Sequence, residues 1–508
     1  MMNATGNGHW LSRAAACVGL LATAATVHGQ TVELYVDNDA QTGGDGSSWD
    51  AAFRSLAEAL DAVNASLPHE PGELHFLKVA QGTYCPGFPT QSRSSTFTVL
   101  SGTTIFGGYA GIGAANPDEL DPDRFVTVLS GDLQGDDLSG FGNRHDNTYH
   151  VLTTGSAYGY ARVGGFTIRG GHADGDGADG AGGGVTAPEG FSNIHLQQCR
   201  ITDNYAIRGG GASVASGSIA FAMCTLDGNL ASEGGGAARV HYGYFEFCRF
   251  VGNYGGAQGG AIWTELGLLI VNGCAFSGNR AIRGAGIAAA LSLVDVSAST
   301  FFNTADECAH AILLTNYAHA LVRGCIFAGD SPHYAIGSEA LLEVRGCLLE
   351  HGVEPLRLLS GGTFLGFGNI EASARFVDPL GADGVWGTLD DDLRIRANSL
   401  GVDAGAYETP WGPSPDFDLA GLPRVHDDPG MPNIGIGANG AMDIGAYEFQ
   451  GTSCRADHDG DGVVRVPDLF AYLLDWFARS ALADTDRDTV VEVRDLLDYL
   501  TAWFAGCA

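Results

Sequence analysis

Through its middle the chain repeats every 22 to 26 residues, and that period limits its fold more than any other feature. Cys199-Arg-Ile-Thr-Asp-Asn204 is followed, after glycine runs, by Cys224-Thr-Leu-Asp-Gly-Asn229, Cys248-Arg-Phe-Val-Gly-Asn253 and Cys274-Ala-Phe-Ser-Gly-Asn279. Fainter copies start at Cys325 and Cys347. A unit this short can bury its apolar face only against its neighbours, so the array is a solenoid. No copy shows a 3.6-residue pattern; each has short apolar strands broken by glycine, of which the chain has 76. The unit is therefore one coil of a parallel β-helix. About nine coils fit between Val151 and Phe376, at ~4.8 Å per coil.

Six cysteines at one phase predict an inward stack of reduced thiols rather than bridges, because a small apolar side chain suits a narrow core. The aligned Asn204, Asn229, Asn253 and Asn279 predict a second ladder, with amides hydrogen-bonded from coil to coil at a turn. The glycine runs that follow let the chain turn at positive φ. They are no phosphate cradle, since neither a Gly-Lys-Ser/Thr nor a strand-to-helix switch accompanies them.

The end of the chain is built differently. Asp457-His-Asp459-Gly-Asp461-Gly462 runs to Asp468, and 27 residues later Asp484-Thr-Asp486-Arg-Asp488-Thr489 runs to Asp495. Carboxylates at loop positions 1, 3, 5 and 12 suit calcium, a hard cation that takes six or more oxygens. Gly462 stands where the loop must turn sharply, and Thr489 replaces it in the second copy. After each loop an apolar stripe returns: Leu469, Tyr472, Leu473, Trp476, Phe477, then Leu496, Tyr499, Leu500, Trp503, Phe504. Each stripe is one face of a short helix. Cys454 and Cys507 bracket the module and are expected to pair, closing a loop of about fifty residues. The alternative is that Cys507 awaits a covalent partner elsewhere.

A duplicated loop-plus-helix over 451–508 resembles a dockerin, the calcium-dependent module that plugs exported bacterial proteins into a cohesin-bearing partner. Gly-Thr-Ser before Cys454 reads as its linker. Val466-Pro467 and Val493-Arg494 stand where dockerins of cellulose-degrading complexes often carry Ser/Thr pairs, so a cohesin of that type is not implied. Tyr35-Val-Asp, Val79-Ala-Gln-Gly-Thr-Tyr84, Val128-Leu-Ser-Gly-Asp132 and Asn147-Thr-Tyr-His150-Val151 resemble the N-terminal part of bacterial right-handed β-helix proteins. Asp403-Ala-Gly-Ala-Tyr-Glu408 and Asp443-Ile-Gly-Ala-Tyr-Glu448 resemble the terminal segment of exported β-helix proteins.

The expected architecture is all-β: a right-handed, single-stranded, pectate-lyase-like parallel β-helix with an N-terminal capping helix, then a small α-helical calcium module. Arg13 and the apolar run Ala14–Val27 look like a signal peptide covering 1–29. The expected parts are then an N-terminal cap and first coils over 30–150, regular coils over 151–375, a C-terminal β cap over 376–450, and the dockerin-like tail. Trp49, Phe53, Leu56, Leu60 and Val63 recur at helical spacing behind Ser47-Ser48 and predict the capping helix. Export to the cell surface or medium follows from the leader, and no stretch approaches the ~20 apolar residues of a membrane span. A net charge of −33 argues against nucleic acid.

Polysaccharide cleavage would need two carboxylates at one phase of coils one or two apart. Aligning the coils on their cysteines gives no such pair: Asp227 faces Thr202 and Val251, and Glu246 faces Ala222 and Asn272. Arg208 and Glu233 align as a surface ion pair. Three acidic runs lie outside the regular coils: Asp132, Asp136 and Asp137 near His145, Asp146 and His150; Asp174, Asp176 and Asp179 after His172; and Asp390, Asp391 and Asp392. Each offers oxygens for calcium, although glycine-rich turns collect aspartate anyway. The expectation is a non-enzymatic β-helix that binds a ligand or polysaccharide and is anchored by its tail. A polysaccharide lyase or glycoside hydrolase is the alternative.

Overall fold

The computed structural model describes residues 31–506 apart from 66–73, 88–91, 156–158, 188–191, 303–309, 330–333, 338, 351–355, 359–361, 406–415, 436–440 and 461. The expected leader, Asp461 and Cys507 lie outside the described residues. Each coil contributes three main strands, and every strand pairs in parallel with its counterpart one coil on. The long face begins at Thr31–Val36 and Leu74–Ala80 and continues, rung by rung, to Leu341–Arg345 and Thr363–Phe367. A second face is an 11-stranded sheet from Gly82–Tyr84 to Ile370–Glu371. The third runs from Phe97–Val99 to Leu356–Leu358. The chain is a parallel β-solenoid whose coils begin at the first described residue.

Alternate side chains point inward and stack on their equivalents one coil away. Phe250, Phe276, Phe301 and Phe327 form one such column, with ring centroids 4.5, 4.3 and 4.7 Å apart and nearly parallel planes. The spacing matches the strand separation, so pairing and aromatic stacking reinforce each other.

Two turns in each coil use one device. Gln198, Met223, Phe247, Gly273 and Ala298 all have φ between 47° and 62°, and each precedes a cysteine or its equivalent. Asp203, Gly228, Gly252 and Gly278, with φ of 54–60°, precede the four asparagines. The amide after each left-handed residue leaves the strand ladder, and a side chain one coil on accepts it. Asn204, Asn229 and Asn253 amides go to the Oδ1 of Asn229, Asn253 and Asn279 at 3.2, 3.0 and 3.2 Å. Cys199 and Cys248 amides go to the Sγ of Cys224 and Cys274 at 3.4 and 3.3 Å. The thiols are buried and reduced, as the repeat predicts. They are not mere apolar filler, because a buried amide depends on each acceptor.

Three expectations need correction. The N-terminal stripe is not one helix. Trp49–Ala51 is a 3-10 turn capped by Ser48, and Phe53 forms a bridge to the first strand through hydrogen bonds with Tyr35 and Asp37. Only then does α1, Leu56–Ala65, cover the end of the core with Leu56, Leu60 and Val63. The segment 376–450 is hardly β: among its described residues one short antiparallel pair, Phe376–Asp378 with Asp392–Ile395, is regular. Buried carboxylates accepting backbone amides hold the rest, such as Asp443 with Asp403 N at 2.9 Å and Glu448 with His426 N at 3.0 Å. Finally, Gly-Thr-Ser is no free linker, since both Asp428 oxygens accept the buried Ser453 amide at 2.9 and 2.8 Å.

Candidate calcium loops and the outer face

In the tail the two loops precede α2, Val466–Ala478, and α3, Val493–Ala505. Tyr472 and Tyr499, equivalent residues of the two copies, stack face to face at 3.7 Å and are buried. In the first loop Asp457, Asp459 and Asp468 bring oxygens within 4.8 Å of one another; in the second, Asp484, Asp486 and Asp488 do so. The loops are shaped by their own backbone. Asp457 accepts Gly460 N at 3.0 Å and Gly462 N at 2.8 Å. Asp484 accepts Asp488 N at 3.2 Å and Thr489 N at 2.7 Å. Asp468 and Asp495 sit at the third residue of their helices and accept the Arg465 and Glu492 amides, 2.7 and 2.8 Å away.

The residues present fit a hard cation. Burial and then the carboxylates of Asp468 and Asp457 push Asp459 above its ordinary pKa, so the group carries repulsion that a bound cation would relieve. The second loop differs. Thr489 adopts φ +77°, matching the +86° of Gly462, so a β-branched residue holds the glycine conformation. Asp495 turns to Thr485, whose amide and hydroxyl it accepts at 2.8 and 3.0 Å, and Arg494 lies 3.2 Å from Asp486. Cys454 is disulfide-bonded; Cys507, its expected partner, is outside the described residues.

The structure unites two of the acidic runs. Arg93 donates to the carbonyls of Asn147 at 2.7 Å and His172 at 2.8 Å and pairs with Asp174 at 2.6 Å, its guanidinium over the Tyr149 ring. Asp132, Asp136 and Asp146 converge within 4.8 Å on that corner. Asp137 instead accepts from Asn147 Nδ2 at 3.0 Å beside Arg144, and Asp179 stands 3.9 Å from His150. Burial lowers the pKa of both His150 and His172. The third run fastens a cap loop to the second face: Asp391 accepts the Ser277 hydroxyl and the Gly387 amide, while Asp392 pairs with Arg394 at 2.5 Å.

On the long face the register gives two adjacent outward columns. One carries Tyr160, Asn193, Ser218, Tyr242, Leu268 and Leu293. Beside it stand Arg162, His195, Ala220, Tyr244, Ile270 and Asp295, then Leu321 and Glu343. The pairings Asp227–Thr202, Asp227–Val251, Glu246–Ala222 and Glu246–Asn272 are as aligned from sequence, and Arg208 meets Glu233 at 3.7 Å.

Alignment on cysteines missed one relation. Asp295 and Glu343 share a column two coils apart, so two aligned carboxylates do exist. Their coil escaped because Ser299, not cysteine, holds its rung. The available signal was Ser299-Thr-Phe-Phe, which repeats the pattern of Cys274-Ala-Phe-Ser. Both carboxylates are neutralised: Arg323 grips Asp295 at 2.7 and 2.8 Å, and Arg345 Nε lies 2.6 Å from Glu343. No helix among the described residues is long and apolar enough to cross a membrane.

No family model matches the chain, and no curated protein does. Among solved structures it is similar to the crystal structure of pectate lyase Pel9A, at 15% identity and a TM-score of 0.35, over 83% of this chain and 97% of that one. The class defined here, a parallel β-solenoid with a duplicated acidic loop-helix module, rests on the geometry alone.

Proposed function

We propose that this is an exported, calcium-loaded solenoid that binds a neutral polysaccharide on its long face and is held by a cohesin-like partner through its tail. The observation that carries the first part is the outward pair Tyr242 and Tyr244, about two-fifths exposed, beside the small Ser218, Ala220 and Ala222 of the preceding coil. Tyr160 stands in the same column three strand spacings away, roughly 14 Å. Exposed rings offer apolar faces to sugar C–H groups, and Asn193, His195 and Gln197 line the shallow floor between them with hydrogen-bonding groups. A net charge of −33 disfavours polyanions and favours an uncharged chain.

Support for the anchoring role lies on the outside of α2 and α3. Val466, Phe470 and Phe477 are exposed, and so are their equivalents Val493, Leu497 and Phe504. Two matched apolar surfaces on a protein of this charge suit a protein partner. The second reading, polysaccharide cleavage, is favoured by the shared column of Asp295 and Glu343, about 9.6 Å apart at two strand spacings and close to the separation in inverting hydrolases. The arginine pairing of both carboxylates weighs against it.

Binding assays with neutral and acidic polysaccharides, alongside reducing-sugar and unsaturated-product assays, test these readings. The Tyr242→Ala/Tyr244→Ala double variant should lose most retention on the neutral polymer and keep its fold. Product release abolished by Asp295→Asn would establish the enzyme instead. Calcium-dependent capture by a cohesin, abolished by Phe477→Asp with Phe504→Asp, is the expected behaviour of the tail.

A further inference from the structure

The duplicated module lies against the end of the solenoid, and the groups that fasten it belong to the calcium loops themselves. Asn398 Nδ2 donates to the carbonyls of Cys454 at 2.9 Å and Asp457 at 2.6 Å, the latter being the first residue of the first loop. Arg375 donates to the carbonyl of His458, the second, at 2.8 Å. From the second loop Arg487, at position 4, reaches into the cap. Its Nη1 donates to Val402 O at 2.8 Å and Pro432 O at 3.3 Å, and its Nη2 to Ser399 O at 3.3 Å. Ala481 and Leu482, between the two copies, pack on the apolar cluster that includes Leu400 and Val402.

The cap is built to receive a cation. Asp403, Asp443 and Asp428 are buried there and attract the Arg487 guanidinium, against the repulsion of Arg455, which donates to Gly430 O at 3.1 Å. Asp403 Oδ1 has no hydrogen-bond donor among the described residues. Arg424 is already committed, donating to the Asp443 and Gly445 carbonyls and lying 3.4 Å from Glu448. Burying an arginine among carbonyls is costly unless carboxylates compensate it, and this pocket supplies them.

What aims Arg487 is the loop. Arg487 and Thr489 both take left-handed φ, +55° and +77°, conformations that side chains resist. Around them Asp484, Asp486 and Asp488 bring like charges together. Opening of an empty loop would relieve both strains, and it would withdraw position 4 from the cap. A cation on the three carboxylates holds the strained turn and the arginine in place.

We propose that the cap is an intramolecular receptor for the calcium-loaded second loop: Arg487 docks when the loop is filled and is released when it empties. The inference rests on the calcium reading above and adds to it a switch in the position of the module. By linkage, docking raises the calcium affinity of the second loop by the factor with which calcium favours docking.

The test uses the full chain, with calcium binding measured calorimetrically and docking read by amide hydrogen exchange. In calcium the amides of 398–402 and 453–459 should be protected; in chelator their exchange should accelerate while the coils 199–279 stay unchanged. Arg487→Ala should still take up calcium in both loops, lose protection at 398–402 even in calcium, and bind its second ion roughly fivefold or more weakly. Arg494→Ala removes a positive charge near the same loop without touching the cap and should leave protection intact. Normal calcium binding with undiminished protection in Arg487→Ala would overturn the docking inference alone. Absence of calcium uptake by the unaltered chain would overturn the reading beneath it.

Discussion

Ser299 accepts the amide of Cys274 at 3.1 Å, in the place that a thiol holds in the coil before it. The Ser299 hydroxyl also donates to Ser297 O at 2.8 Å, so the position accommodates a hydroxyl fully. Asn369 closes the same column by accepting the Cys347 amide at 3.0 Å. The ladder is thus defined by an acceptor, and sulfur is one way of providing it.

Cys274→Ser should therefore be tolerated, whereas Cys274→Ala strands the Cys248 amide and should destabilise by about 1–3 kcal/mol. Treating the cysteines as apolar filler ranks these variants in the opposite order. Denaturant unfolding of the two distinguishes the accounts, and an alanine variant more stable than the serine one would reject the acceptor role.

Thr489→Gly should relieve the left-handed strain of the second loop. That strain is about 1–2 kcal/mol, so calcium affinity should rise roughly 5- to 30-fold. Asp457→Ala should abolish uptake by the first loop. Calorimetric titration of the full chain resolves the two sites, and an unchanged second binding constant in Thr489→Gly would count against the strain.

Tyr499→Ala removes half of the stacked pair and should cost the tail about 3–5 kcal/mol. Tyr499→Phe keeps the stack and loses only the hydroxyl contact with Ala456 O, 3.4 Å away, so its cost should be well under 1.5 kcal/mol. Helix content followed by circular dichroism in calcium reads both. Equal losses would mean that the stack contributes little.

In chelator the C-terminal cap should be firmer at pH 5 than at pH 8. Burial raises the carboxyls of Asp443 and Glu448, and pushes Asp403 to about 6. Their neighbours include Asp418, Asp427, Asp428 and the guanidinium of Arg424; Arg487, which lowers Asp403 while docked, is withdrawn in chelator and leaves the upward shift in place. Folded values above the unfolded ones mean that this stabilisation is complete below about pH 4. It is lost as pH rises through about 6 for Asp403 and higher for the other two. Hydrogen exchange at 443–449 should accelerate across that window. Calcium uptake has the opposite sign, because the loop carboxylates must be ionised.

The solenoid was legible because its period lies in local sequence: one coil is one repeat, and each strand pairs with a copy of itself. Alternation then set the register, which is why the neighbours of Asp227 and Glu246 came out correctly. The same method failed at Ser299, where the marker residue changed and the coil dropped from the alignment, taking the Asp295–Glu343 relation with it. It failed also at Trp49 and Phe53, where pairing with the first strand overrode helical spacing.

By itself the sequence determined what repetition encodes: the coils, the Cys and Asn columns, and two acidic loops each followed by an amphipathic helix. Tertiary structure alone decided where non-repeating segments meet. Arg93 joins two acidic runs from different coils, Asp391 ties a cap loop to the second face, and Arg487 enters a pocket of carboxylates supplied by residues 403 to 443. No local period records such contacts, because each depends on packing between segments whose spacing never recurs.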